Sequence, residues 1–143
     1  MIFKTLTPTL SIASQSTEAD VAQAARDGFR AIVNNRPDGE DATQLQSIKI
    51  AHLAAQHGME YAFVPAVSGK IGADEIAGMA QALARLKAPV LAFCRTCTRS
   101  TTLWALSQAR ALPAAEIIAT AAAAGFDLTA LRSQLEALAS PRA

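Results

Sequence analysis

Cys94 and Arg99 bracket the one stretch of this chain whose residue types suit covalent chemistry. Four residues separate them, Arg95, Thr96, Cys97 and Thr98, and Ser100 follows. A cysteine sulfur attacks as the thiolate, and cationic neighbours and helix N-termini favour that form. Arg95 and Arg99 supply the cations. The apolar run "VLAFC" reads as a strand and "RSTTLWAL" as the start of a helix, so Cys94 stands where a strand feeds a helix N-terminus. Free amides there face outward and favour an anion. The combination predicts a nucleophilic Cys94 whose neighbours hold an oxyanion close to its sulfur. Ser100 is placed to donate to the sulfur or to cap the helix. The plain alternative is a packed cysteine in a polar turn, which gives no reason for arginines and hydroxyls around one sulfur.

Cys94 and Cys97 are the only two cysteines. A bridge between them would close too short a loop to stabilise the fold much. Zinc would need further ligands. His52 and His57 are distant in sequence and not suitably spaced, so no metal and no cofactor is expected. Cys97 is three residues on from Cys94, the spacing that shares one helical face. It is therefore a candidate resolving cysteine or redox lock, with a small space-filling side chain as the bland reading.

The elements that must position this loop alternate. "TLSIA" reads as a short strand after an extended N-terminal piece. "STEAD" opens a helix with Ser16 or Thr17 as cap and Gly28 as stop. "RAIVNN" is a strand by its β-branched run, and "RPDGED" is loop by composition. A helix over roughly 41–57, a strand at "EYAFVPA", a loop at "VSGKIG" and a helix at "ADEIAGMAQALARLK" follow. "VLAFC" is apolar throughout, as in a strand buried on both faces. Helices are expected over 99–111, 113–123 and 127–138, and the tail "SPRA" is expected to fray. The pattern predicts an α/β fold, a central parallel sheet flanked by helices with a helical C-terminal part, and one domain over residues 1–143. In such sheets ligands bind beyond the carboxyl ends of the strands, where Cys94 lies.

Composition narrows the function classes. Half of the chain is apolar (51%), so a real core is expected, and the formal charge of +1 gives no reason to expect nucleic acid or an anionic membrane as partner. No apolar run approaches a membrane span, and "MIFKTLTPTL" lacks a signal-peptide core, so a cytoplasmic protein is the default. The apolar stripes of the last two helices cover the domain's own core or a second copy in a homodimer.

Four segments carry a family resemblance: "LTPTLSIASQST", "AARDGFRAIVNNRPDGED", "YAFVPAVSGKI" and "PVLAFCRTCTRSTTLWAL". In this order they make the chain resemble the bacterial beta-lactamase hydrolase-like protein, phosphatase-like domain family. That resemblance implies a small dual-specificity cysteine-phosphatase fold, and several members are described as sulfurtransferases. It casts Cys94 as nucleophile, Arg99 as oxyanion-binding arginine and Ser100 as the hydroxyl that steadies the thiolate. Arg95, Thr96 and Thr98 then supply loop amides. The family has glycine where this chain has Cys97, and glycine often marks a positive φ or a close backbone approach.

Two features bear on the chemistry. Cysteine phosphatases resembling this fold usually have a Cys-to-Arg loop one residue longer, and the shorter loop is that of rhodanese-like sulfurtransferases. A phosphatase also protonates its leaving oxygen, usually with an aspartate. The equivalent loop here reads "PAVSG", with Val67 and Ser68 in place of an acid. Asp38, in "NNRPDGED", is the remaining candidate acid or base, although Pro-Asp-Gly is also turn chemistry. Arg36 is placed to pair with Asp38 or Glu40. The expectation is a rhodanese-type sulfurtransferase that takes sulfane sulfur from thiosulfate or a persulfide, a small-molecule donor, onto Cys94 and passes it to a thiol acceptor. A phosphatase working through a Cys94 phosphoenzyme is the first alternative, and a Cys94/Cys97 redox-sensing or partner-binding domain the second.

Overall fold

The computed structural model describes residues 3–14 and 16–139. The "SPRA" tail and Gln15, a residue of the first family-like segment, lie outside them. Five strands form one sheet in the order β1-β2-β5-β3-β4. They are β1 (Phe3–Thr7), β2 (Leu10–Ser14), β3 (Ala31–Asn34), β4 (Glu60–Phe63) and β5 (Val90–Cys94). The sheet is mostly parallel. β5 pairs with β2 and β3, and β3 with β4, all in parallel, while the N-terminal extended piece becomes β1 and adds antiparallel to β2.

Burial explains why β5 is apolar throughout. It lies in the middle of the sheet, and all five of its residues are buried. Successive side chains point to opposite faces. Val90 and Ala92 join one core with Ile12, Val33 and Leu103, whereas Leu91 and Phe93 join the other with Ile32, Ile50 and Leu53. Helices α1 (Glu18–Arg26) and α2 (Ser47–Gln56) supply the second core. Helices α3 (Ala73–Arg85), α4 (Thr98–Ser107), α5 (Ala114–Ala123) and α6 (Arg132–Ala139) supply the first. Each fully buried Leu or Ile contributes roughly 1.5–3 kcal/mol by leaving water, so the two cores fix the sheet that carries Cys94.

Local signals set the boundaries. Thr17 caps α1: its side chain accepts from Asp20 N at 3.2 Å, and Asp20 Oδ2 accepts from Thr17 N at 2.9 Å. The helix expected from residue 41 starts instead at Ser47. Asp41 Oδ1 accepts from both the N–H and the hydroxyl of Thr43 at 2.9 Å, and Gln44 Nε2 donates to Pro37 O at 2.9 Å. These side-chain bonds offer the backbone an alternative to the helical ladder. The helix expected to run to residue 111 ends at Ser107, with turns beyond, and a 3-10 turn (Thr129–Leu131) precedes α6.

Candidate functional site

The C-terminal ends of β3 and β5 deliver the site. Cys94, the last residue of β5, is fully buried. Residues 95–97 turn the chain into α4, which starts at Thr98, so the expected strand–loop–helix is present. Arg95, Thr96 and Thr98 are exposed, whereas Arg99 and Ser100 are buried. Cys97 has φ 73°, the one positive φ among the described non-glycine residues. The family resemblance implies glycine at this position, and glycine favours such a left-handed backbone. Thr101 ties the turn to the helix, donating from its N–H at 3.2 Å and its hydroxyl at 2.9 Å to Cys97 O.

The arginine is held more firmly than the loop sequence indicates. Arg99 Nη1 donates to Glu40 Oε2 at 2.7 Å and to Ala66 O at 2.9 Å, while Nη2 donates to Glu40 Oε1 at 2.8 Å. Glu40 thus takes the end of the guanidinium. The side edge, Nε–H and the second Nη2–H, has no hydrogen-bond partner among the described residues and is the fork that suits two oxygens of an oxyanion. Arg36 Nε donates to Glu40 Oε1 at 3.2 Å, so one carboxylate joins two buried arginines. The hydrogen bond from Arg99 is the largest cause holding the Glu40 carboxyl below its ordinary range, with Arg36 adding to it. The Arg99 guanidinium is shifted up, first by its bond to Glu40 and also by the nearby Cys94.

The segment "NNR" explains why Glu40 arrives there. Asn34 Oδ1 accepts from Arg36 N at 2.9 Å, and Asn34 Nδ2 donates to Tyr61 Oη at 3.1 Å. Tyr61 Oη also shares a 2.6 Å bond with Ser47 Oγ. Asn35 Nδ2 donates to Val64 O at 3.0 Å, and Ala66 N donates to Asn35 O at 3.1 Å. The loop after β3 is thereby stitched to the loop after β4, whose Ala66 carbonyl in turn holds Arg99. Buried amides, otherwise costly, become the rivets between three loops.

The structure thus joins Cys94, Arg99, the 95–98 loop and Arg36 in one region. Asp38 serves α2: its Oδ1 accepts from Ser47 N at 2.7 Å. Ser100 Oγ is buried and has no hydrogen-bond partner among the described residues, Cys94 included. Both cysteines are free thiols, and burial, followed by the nearby Cys94, pushes the Cys97 thiol up. Glu40 is the residue that sequence reasoning reached only as a partner for Arg36. The available signal was the need of a buried guanidinium for a carboxylate. A cavity of about 340 Å³ opens beside Arg99, walled by Ser68, Ile71, Thr96, Thr102, Leu106 and Gln134.

Comparison with known proteins places this geometry. Residues 2–111 match the family described as beta-lactamase hydrolase-like protein, phosphatase-like domain. The chain belongs to that family. A beta-lactamase hydrolase-like protein of Agrobacterium fabrum is 34% identical over 129 residues, which cover 89% of this chain and 30% of the relative. The chain therefore spans about a third of the length of such curated relatives. The crystal structure of a Neisseria meningitidis protein, provisionally assigned as a phosphatase, is 34% identical with a TM-score of 0.80. The match covers 94% of this chain and 96% of that one. Tk-PTP in its active form is 18% identical with a TM-score of 0.71, over 96% of this chain and 95% of its own, a likeness of fold. The phosphatase-like domain here is thus an α/β cysteine-phosphatase-like fold.

These findings overturn the expected sulfurtransferase chemistry, because the family and the 34% identical structure both point to a phosphatase. The short Cys-to-Arg spacing was a poor discriminator for a physical reason. Glu40 and the Ala66 carbonyl hold the Arg99 guanidinium from outside the loop, so the Cys-to-Arg spacing alone does not fix where it lies. Among the described residues no helix is long and apolar enough to cross a membrane.

Proposed function

We propose that this domain is a cysteine phosphatase that hydrolyses a phosphate monoester through a phosphoenzyme on Cys94. The Glu40-anchored Arg99, its Nε edge left for two phosphoryl oxygens, carries the reading. Amides of the 95–98 turn and the N-terminus of α4 add donors at the strand end. In the first step the Cys94 thiolate attacks phosphorus: an S–P bond forms and the ester P–O bond breaks. In the second, water attacks phosphorus: an O–P bond forms, the S–P bond breaks, inorganic phosphate leaves with a proton passing to solvent, and the thiolate returns. Ser100, at the first turn of α4, is the hydroxyl we assign to the departing thiolate. Arg36 braces Glu40. The substrate is a small molecule or side-chain phosphate, and neither nucleic acid nor a cofactor enters the scheme. A reducing compartment such as the cytoplasm suits two free thiols.

The test is hydrolysis of an aryl phosphate by purified protein. Turnover that is inhibited by vanadate and abolished in Cys94→Ser supports the proposal. Turnover that survives Cys94→Ser contradicts it.

A further inference from the structure

Cleavage of a phosphate ester leaves an oxygen that must either take a proton or depart as an anion. Donating that proton requires a protonated acid within reach of the leaving oxygen. The carboxylates of the 36–41 loop are each engaged otherwise. Glu40 accepts three bonds from two arginines, and its carboxyl is held in the ionised form by the first of them, Arg99. Asp41 accepts twice from Thr43, whose backbone N–H is the main cause lowering its carboxyl. Asp38 accepts the Ser47 N–H at the start of α2. Across the cavity, residues 65–71 contain no acidic side chain, and Glu75 accepts from Gly72 N at 2.7 Å at the start of α3. Lys70, the titratable group of that loop, is exposed and does not wall the cavity.

The cavity beside Arg99 bears the same mark. Its walls are hydroxyls and an amide from Ser68, Thr96, Thr102 and Gln134, with apolar surface from Ile71 and Leu106. Among the described residues Arg99 is the one charged side chain lining it, and no carboxylate does.

We infer that the phosphoryl-transfer step runs without a proton-donating carboxyl, so the site takes aryl phosphates rather than alkyl phosphates. The inference rests on the phosphatase reading above. The P–O bond breaks as the S–P bond forms, and the phenolate leaves with the electron pair and takes its proton from solvent. An alkoxide is too poor a leaving group to depart this way, and lacks the roughly 10²–10⁴-fold that a general acid supplies.

The experiment measures kcat/KM for a series of phenyl phosphates, from nitrophenyl to unsubstituted phenyl, and for glycerol 2-phosphate. It uses wild type, Asp38→Asn, Asp41→Asn and Cys94→Ser. The expected result is a fall of roughly tenfold per unit of leaving-phenol pKa, as for departure of an unprotonated oxygen. Glycerol 2-phosphate is then not cleaved, and neither asparagine variant changes the slope. A shallow slope, or a selective loss of the poorer leaving groups in Asp38→Asn or Asp41→Asn, identifies an acid and overturns the inference alone. Absence of any Cys94-dependent hydrolysis across the series removes the phosphatase reading, and this inference with it.

Discussion

Cys97 holds a φ of 73° with a side chain that prefers negative φ. The half-buried thiol packs against the first core, which offsets part of that strain. Cys97→Gly should leave stability unchanged or raise it by up to about 1 kcal/mol, whereas Cys97→Val should lower it by about 1–3 kcal/mol. Urea denaturation of the three proteins checks the order. Glu40 presents the opposite case, a residue valued for its contacts. In Glu40→Gln the Arg99 fork loses its charged anchor, and misplacement of a catalytic group by about 1 Å costs on the order of 10²-fold. We expect kcat/KM for an aryl phosphate to fall by about that factor while far-UV circular dichroism keeps its wild-type form. An unchanged kcat/KM in Glu40→Gln would remove the orienting role.

At the scale of elements, the strands were legible because burial leaves a plain pattern. "VLAFC" and "RAIVNN" are apolar or β-branched, and both lie in the interior of the sheet. The position of Cys94 was legible for the same reason: it ends a central strand and precedes a helix. The start of α2 was not, since Asp41, Thr43 and Gln44 bond locally and no periodicity reports that. The bonds among Glu40, Arg99 and Ala66 were also hidden, because they join residues far apart in sequence. Asn35 is the clearest case of such a link. Asn35→Ala strands the Val64 carbonyl it bonds, at a cost of about 1–3 kcal/mol. Because the same residue sets the loop that carries Ala66, the variant should lose activity as well as stability. Denaturation and initial rates measured together test this, and full activity in a destabilised Asn35→Ala would separate the loop from the site.

For the molecule as a whole, pH links the site to the fold. The Glu40 carboxyl, lowered chiefly by Arg99, favours the folded state when ionised. The sign follows: its contribution is present above the ordinary carboxylate value of 4.5 and is lost as pH falls through the lower folded value. Asp41 and Asp127, lowered chiefly by the backbone N–H groups of Thr43 and Thr129, act in the same direction. Resistance to urea should therefore be flat from neutrality to about pH 5 and decline below it, with a smaller decline in Glu40→Gln. In the proposed function, the α/β layering, the two cores and the three stitched loops all serve to hold one sulfur beside one guanidinium. The most direct test of that purpose is an acid quench during turnover of an aryl phosphate, followed by peptide mass spectrometry. The account predicts one phosphoryl group on the peptide containing Cys94 and none in Cys94→Ser. Hydrolysis that proceeds while Cys94 never carries phosphate would contradict it.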